Sequence, residues 1–241
     1  MTEINDMQTI LVTGTDTNVG KTYISCLLIR KLRQSGLTVG AYKPACSGAR
    51  WDVSGSPHWD DVEDLRLATG SDVPVDLVCP QRFLAAVAPN VAASLEGTTV
   101  SSERLISGVS EWKGKVDVLV IEGAGGVFCP LSDELTVLDF AIRMQSPVLV
   151  VAANRLGVIS HTRLTVDRLR QSGLNIAGVL LNELQIDGSH DASFESNAQQ
   201  ISYWIPDVVL LRAGFRSETI SVVHNAEVLT NSLLARTIER F

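Results

Sequence analysis

Nine consecutive residues, Gly14-Thr15-Asp16-Thr17-Asn18-Val19-Gly20-Lys21-Thr22, carry two glycines, a lysine and a closing hydroxyl in the order of a phosphate-binding loop. Glycine lets backbone approach a ligand closely, and the free N–H groups at the start of a following helix cradle phosphate oxygens. In that reading Lys21 reaches the β- and γ-phosphates and the Thr22 hydroxyl ligates Mg²⁺. Five residues separate Gly14 from Gly20 where the standard loop has four, so Thr15 holds the place of the usual first glycine. ATP or GTP is the expected ligand.

A metal on those phosphates needs acids. The run Val116-Asp117-Val118-Leu119-Val120-Ile121-Glu122 is an apolar strand ending in a carboxylate, followed by Gly123-Ala124-Gly125-Gly126. Glu122 is thereby expected at the carboxyl edge of a sheet, beside the phosphate loop, and Asp117 at the opposite edge as a surface acid. Asp60 and Asp61 precede a helical segment, where adjacent acids either ligate a metal or complement the helix N-terminus. Lys43 ends a second strand in Tyr42-Lys43-Pro44, and a right-handed crossover is expected to return that strand beside the first, bringing Lys43 to Lys21. Ser47 follows four residues later. His58 and His161 stand without a Cys or His at ligand spacing, so a zinc site is not expected.

These residues must be held by alternating elements. Strands are expected at 8–13, 38–42, 116–121, 148–152, 176–181 and 208–211, the central runs nearly continuous in Val, Ile and Leu, as in strands covered on both faces. Helices are expected at 20–34, 62–68, 101–112, 137–144, 160–171 and 225–239, the first with Ile24, Leu27, Leu28 and Leu32 on one face and Gly36 as its stop. Such alternation gives an α/β fold: a doubly wound, mainly parallel sheet with helices on both faces, of the P-loop NTPase kind, as one domain over residues 1–241. The irregular stretch 45–60 leaves the carboxyl edge and reads as a functional loop, and 187–196 as a polar surface loop or frayed helix start.

Composition narrows the partners. With 20 Lys+Arg against 27 Asp+Glu, the net charge of -7 argues against nucleic acid and anionic membranes. The longest apolar runs are strand-sized, and Glu3, Asn5 and Asp6 stand where a signal peptide would be basic then apolar. Cys26, Cys46, Cys79 and Cys129 are scattered without metal-binding spacing and read as structural thiols. A cytoplasmic, soluble protein is the expectation.

The phosphate loop, Tyr42-Lys43-Pro44 with Ser47-Gly48, Glu122-Gly123-Ala124-Gly125-Gly126, Leu156-Gly157-Val158-Ile159-Ser160-His161 and Gly178-Val179-Leu180-Leu181-Asn182 together resemble the dethiobiotin synthetase family, in family order over about residues 10–185. The extra loop residue is that family's own form. The resemblance implies a ligase of biotin biosynthesis that turns ATP, CO2 and 7,8-diaminononanoate into dethiobiotin, ADP and phosphate through a carbamate and a mixed anhydride. It implies Mg²⁺ on Thr22, Asp61 and Glu122, with Asp61 preferred to Asp60. Lys43, Lys21 and Thr17 would act in catalysis. ATP would lie against Asn18, Val19, Gly20, Lys21, Thr22 and Tyr23, then Asp61, Glu122, Gly123, Ala124 and Gly125, with Asn182 and Glu183 at the base. Ser47 would touch the diamine, and Ile159, Ser160 and His161 would meet its carboxylate across a homodimer interface.

Two segments depart from the family's pattern: Ala213-Gly214-Phe215-Arg216 where an Ile-Pro-aromatic-Leu segment is usual, and Pro89-Asn90 where Pro-His is usual. The first leaves base preference open. Rival readings are the amidation module of a cobyrinate-type synthase, which needs a glutaminase domain that 241 residues do not accommodate, and a partition-type switch ATPase. The switch usually carries a lysine early in the loop, where this chain has Asp16, and often a basic membrane helix at its end.

Overall fold

A computed structural model describes residues 7–70, 72–185, 191–229 and 232–237. Strand β1 (Gln8–Gly14) runs through the phosphate loop into α1 (Lys21–Gln34), and β2 (Val39–Tyr42) follows. The irregular stretch contains only two-residue strands, β3 (Cys46–Ser47), β4 (Arg50–Trp51) and β5 (Pro57–His58). Next come α2 (Asp60–Ala68), α3 (Val75–Val78), β6 (Arg82–Phe83), α4 (Pro89–Leu95) and α5 (Ser102–Ser110). The second half alternates regularly: β7 (Val118–Gly126), α6 (Val137–Met144), β8 (Val148–Ala153), α7 (Val158–Gln171), β9 (Ile176–Asn182), α8 (Phe194–Trp204), β10 (Leu210–Ala213) and β11 (Ser221–His224).

Seven strands form one sheet in the order β11-β10-β9-β8-β1-β7-β2, parallel throughout except for the antiparallel β10–β11 edge. The central strands bury both faces, as continuous aliphatic runs must: Val118 to Ile121 and Val148 to Ala153 are all buried. Helices cover the two faces, which makes the fold doubly wound and P-loop NTPase-like. On α1 the buried stripe includes Ile24, Leu27, Leu28 and Leu32, as its periodicity requires.

The sheet corrects one expectation. The second strand does not lie beside the first, because β7 pairs with both and separates them. Adjacency of consecutive strands is only a tendency, and here the start of β7 fastens β2: Asp117 accepts bonds from the Thr38 N–H at 2.7 Å and the Thr38 hydroxyl at 2.6 Å. Asp117 does lie at the amino edge of the sheet, away from the phosphate loop, though it is bonded rather than free.

The expected helix at 225–239 is also corrected over its described residues. After β11 ends at His224, that stretch forms 3-10 turns at Ala226–Leu229 and Leu234–Arg236. Around Ser232 the backbone bonds run i to i−3, and the Ser232 hydroxyl reinforces them by donating to the Leu229 carbonyl and accepting from the Ala235 N–H. Residues 230–231 and 238–239 of that stretch, like 187–190 of the polar loop, lie outside the described residues. Conversely, α8 forms where only a frayed start was read, since Phe194, Asn197 and Ile201 bury one face.

Candidate active site

Strand register brings the charged residues together. Tyr42 pairs with Ile121 across β2 and β7, so the next residues, Lys43 just past β2 and Glu122 within β7, lie side by side. On the other flank of β7, Val12 pairs with Glu122, two residues before the phosphate loop begins. The Lys43 ammonium donates to Glu122 Oε1 at 2.7 Å and to Asp61 Oδ2 at 2.5 Å. The Thr22 hydroxyl donates to the same Glu122 oxygen at 2.9 Å. Lys21 is turned back along its own loop, donating to the Asp16 carbonyl at 2.9 Å.

Burial sets the electrostatics. Glu122 is fully buried and Lys43 is 4% exposed. Burial by itself lowers the Lys43 pKa, but the Glu122 and Asp61 carboxylates outweigh it and hold the ammonium above the usual lysine range. Burial likewise raises the Asp61 carboxyl, and the adjacent Lys43 reverses the sign and keeps it below the usual range. Lys21 moves the other way: desolvation dominates and lowers it, with Glu122 only partly countering. Asp60 faces away from this cluster, pairing with Arg50 at 2.9 Å and with His58 at 3.4 Å.

The arrangement fits a hard divalent cation. Glu122 Oε2 is buried without a hydrogen-bond partner, an orphan that costs free energy unless something ligates it. Thr22, Asp61 and Glu122 present only oxygen, and among the described residues no group of three or more His, Cys, Asp or Glu is gathered that could hold a metal by itself. Two acids and a hydroxyl leave positions open for water and phosphate oxygens, the usual mode of Mg²⁺ rather than of zinc.

A cavity of about 370 Å³ is lined by Thr17, Asn18, Gly20, Lys21, Thr22, Tyr23, Lys43, Cys46, Ser47, Asp61 and the run Gly123, Ala124 and Gly125. A second, of about 680 Å³, shares Thr17, Ser47 and Asp61 and extends past Arg50, Trp59 and Pro89. A third, of about 700 Å³, continues from Thr17 and Gly125 to Phe128 and, on α7, His161, Leu164 and Arg168. Ser47 spends its proton on the Val87 carbonyl at 2.6 Å and so presents lone pairs. Ile159 and Ser160 open α7 but line none of the three spaces, and neither do Asn182 and Glu183. Asn182, 2% exposed at the end of β9, donates from Nδ2 to the Val19 carbonyl at 3.0 Å, and Glu183 is ion-paired to Arg212.

Two features escaped the sequence reading. Cys129 lines both larger spaces; its position just after the glycine run was the available signal. Arg155 pairs with Asp16 of the phosphate loop at 3.5 Å, a contact between distant segments that no local pattern marks.

Comparison with known proteins places this geometry in context. A family model described as an AAA domain matches residues 8–231. The ATP-dependent dethiobiotin synthetase of Rhodopirellula baltica is 40% identical over 213 residues, covering 83% of this chain and 82% of the relative. That of Anaeromyxobacter dehalogenans is 42% identical over 196 residues, covering 81% and 85%. Among solved structures, the septum site-determining protein MinD of Pyrococcus horikoshii, complexed with Mg-ADP, is 17% identical with a TM-score of 0.49, covering 95% of this chain and 86% of that one; a likeness so distant carries no functional weight.

Proposed function

Since the chain belongs to the dethiobiotin synthetase family and is thereby an ATP-dependent ligase, we propose that it closes the ureido ring of dethiobiotin in the cytoplasm, acting as one domain within a homodimer. One amine of 7,8-diaminononanoate takes up CO2 as a carbamate. A carbamate oxygen attacks the γ-phosphorus of ATP and ADP leaves; the second amine then attacks the carbonyl carbon of the mixed anhydride, expelling phosphate.

The observation that carries this reading is the cluster of buried Lys43 and Glu122 with partly buried Asp61 and Thr22 at the mouth of the phosphate loop. Two anions, carbamate and γ-phosphate, repel strongly in a site sheltered from water, and fixed cations must offset that repulsion. Lys43 is held charged by its two carboxylates and faces the cavity with Lys21. Thr22, Asp61 and Glu122 would hold Mg²⁺, which when bound neutralises charge on the phosphate oxygens. Thr17 and Ser47 border both the phosphate and the adjoining cavity, where Ser47's lone pairs suit an amine N–H and Thr17 a carbamate oxygen. Asn18, Val19, Gly20, Tyr23, Gly123, Ala124 and Gly125 would surround the nucleotide, with Asn182 and Glu183 towards its base. Ile159, Ser160 and His161 begin a helix whose free N–H groups favour an anion, so the substrate carboxylate of the partner protomer is assigned to them.

The test is ADP release with Mg-ATP and bicarbonate, with and without 7,8-diaminononanoate, alongside mass detection of dethiobiotin. Diamine-dependent release with product, silent in a folded Lys43→Ala variant, is expected. ADP release that ignores the diamine and yields no product would sink the reading.

A further inference from the structure

The phosphate loop is held partly by its own bonds, from Lys21 to the Asp16 carbonyl and from the Thr17 N–H to the Asp16 carboxylate, and partly from outside. Asn18 at φ 58° and Gly20 at φ 88° are both left-handed, and Asn18 is one of few non-glycine residues so placed; such a conformation persists in a non-glycine residue only when its surroundings enforce it. Between them sits Val19, whose side chain is 1% exposed and whose carbonyl accepts the Asn182 amide from the end of β9, 163 residues away in sequence. The contact continues onto Gly20: a Cβ there would stand 2.1 Å from Asn182 Nδ2, so the amide lies against the bare Cα. The Val19–Gly20 peptide is trans, and in a planar trans unit the C=O and N–H point opposite ways. Fixing the Val19 carbonyl therefore also fixes the Gly20 N–H, one of the donors a phosphate cradle requires. Gly20 is the N-cap of α1, and no side chain caps that end.

We propose that Asn182 is a positioning residue for the phosphate loop, holding Val19–Gly20 in its phosphate-binding form whether or not a base is present. The proposal rests on the nucleotide reading above but assigns this amide a task separate from contact with the base.

The experiment is calorimetric titration of the full-length protein with Mg-ATP and with Mg-tripolyphosphate, a probe that has no base. It uses the wild type, Asn182→Ala and, as a variant of nearly the same shape without the amide, Asn182→Leu. Thermal melts select the variants that are folded at the titration temperature, and either one carries the test. The expected result is that tripolyphosphate affinity falls about tenfold or more and Mg-ATP affinity falls at least as much. Unchanged tripolyphosphate affinity with weakened ATP binding would overturn the proposal, leaving Asn182 a base contact only. Wild-type binding of Mg-ATP without measurable tripolyphosphate binding would overturn it too. Failure of the wild type to bind either ligand would instead remove the nucleotide reading itself, and this inference with it.

Discussion

Lys43 and Glu122 form an ion pair whose side chains are 5% and 0% exposed. Such pairs contribute little net stability, because desolvation offsets attraction, yet removing one partner strands the other charge. Lys43→Met should therefore cost about 3–5 kcal/mol of unfolding free energy in urea titrations. Adding Glu122→Gln to that variant should recover most of the loss, since the amide leaves no buried charge unopposed. Simple additivity of the two substitutions would mean that the pair is not coupled as its 2.7 Å contact implies. Asp61 is the third member but half exposed, so its stake is smaller for stability than for cation binding.

At the level of elements, close backbone approach positions the cluster. Tyr42, the last residue of β2, is fully buried and donates its hydroxyl to the Leu105 carbonyl of α5 at 2.8 Å. Gly108, one turn further along α5, leaves room for that ring: a Cβ there would lie 2.3 Å from the Tyr42 oxygen. Helix propensity alone favours alanine over glycine by about 1 kcal/mol, so Gly108→Ala would ordinarily stabilise. Here overpacking of about 1–3 kcal/mol opposes it, and we expect a net loss seen as a lower urea midpoint. Because Lys43 follows Tyr42 directly, the same substitution should also lower ADP production. A Gly108→Ala variant as stable and active as the wild type would show that α5 does not set the position of β2.

For the whole molecule, ligand binding should report on the assembled site. A ligand at 100 times its dissociation constant adds about 2.7 kcal/mol, which in a chain of this size is a rise of roughly 5–10 °C in melting temperature. Mg-ATP should produce such a shift in a thermal melt, and ATP with EDTA little of it, because in the site proposed above Thr22, Asp61 and Glu122 would then face the phosphates without a cation. An equal shift with EDTA would remove the metal from the reading. No described helix is long and apolar enough to cross a membrane.

The sequence determined what is local. A strand, a glycine loop and an amphipathic helix in succession specify a phosphate site through backbone geometry alone, and apolar runs specify strands that must be covered on both sides. Glu122 and Lys43 were legible because each ends such a run. The tertiary structure decided what depends on neighbours distant in sequence: that β7 lies between β1 and β2, that Asp61 rather than Asp60 meets Lys43, and that Asn182 grips the phosphate loop. It also replaced the last expected helix with 3-10 turns over the described residues. The physical reason is the range of the forces involved. Period and propensity act within a few residues, whereas strand order and buried polar pairing are settled only when the whole core closes and each desolvated group must find its partner.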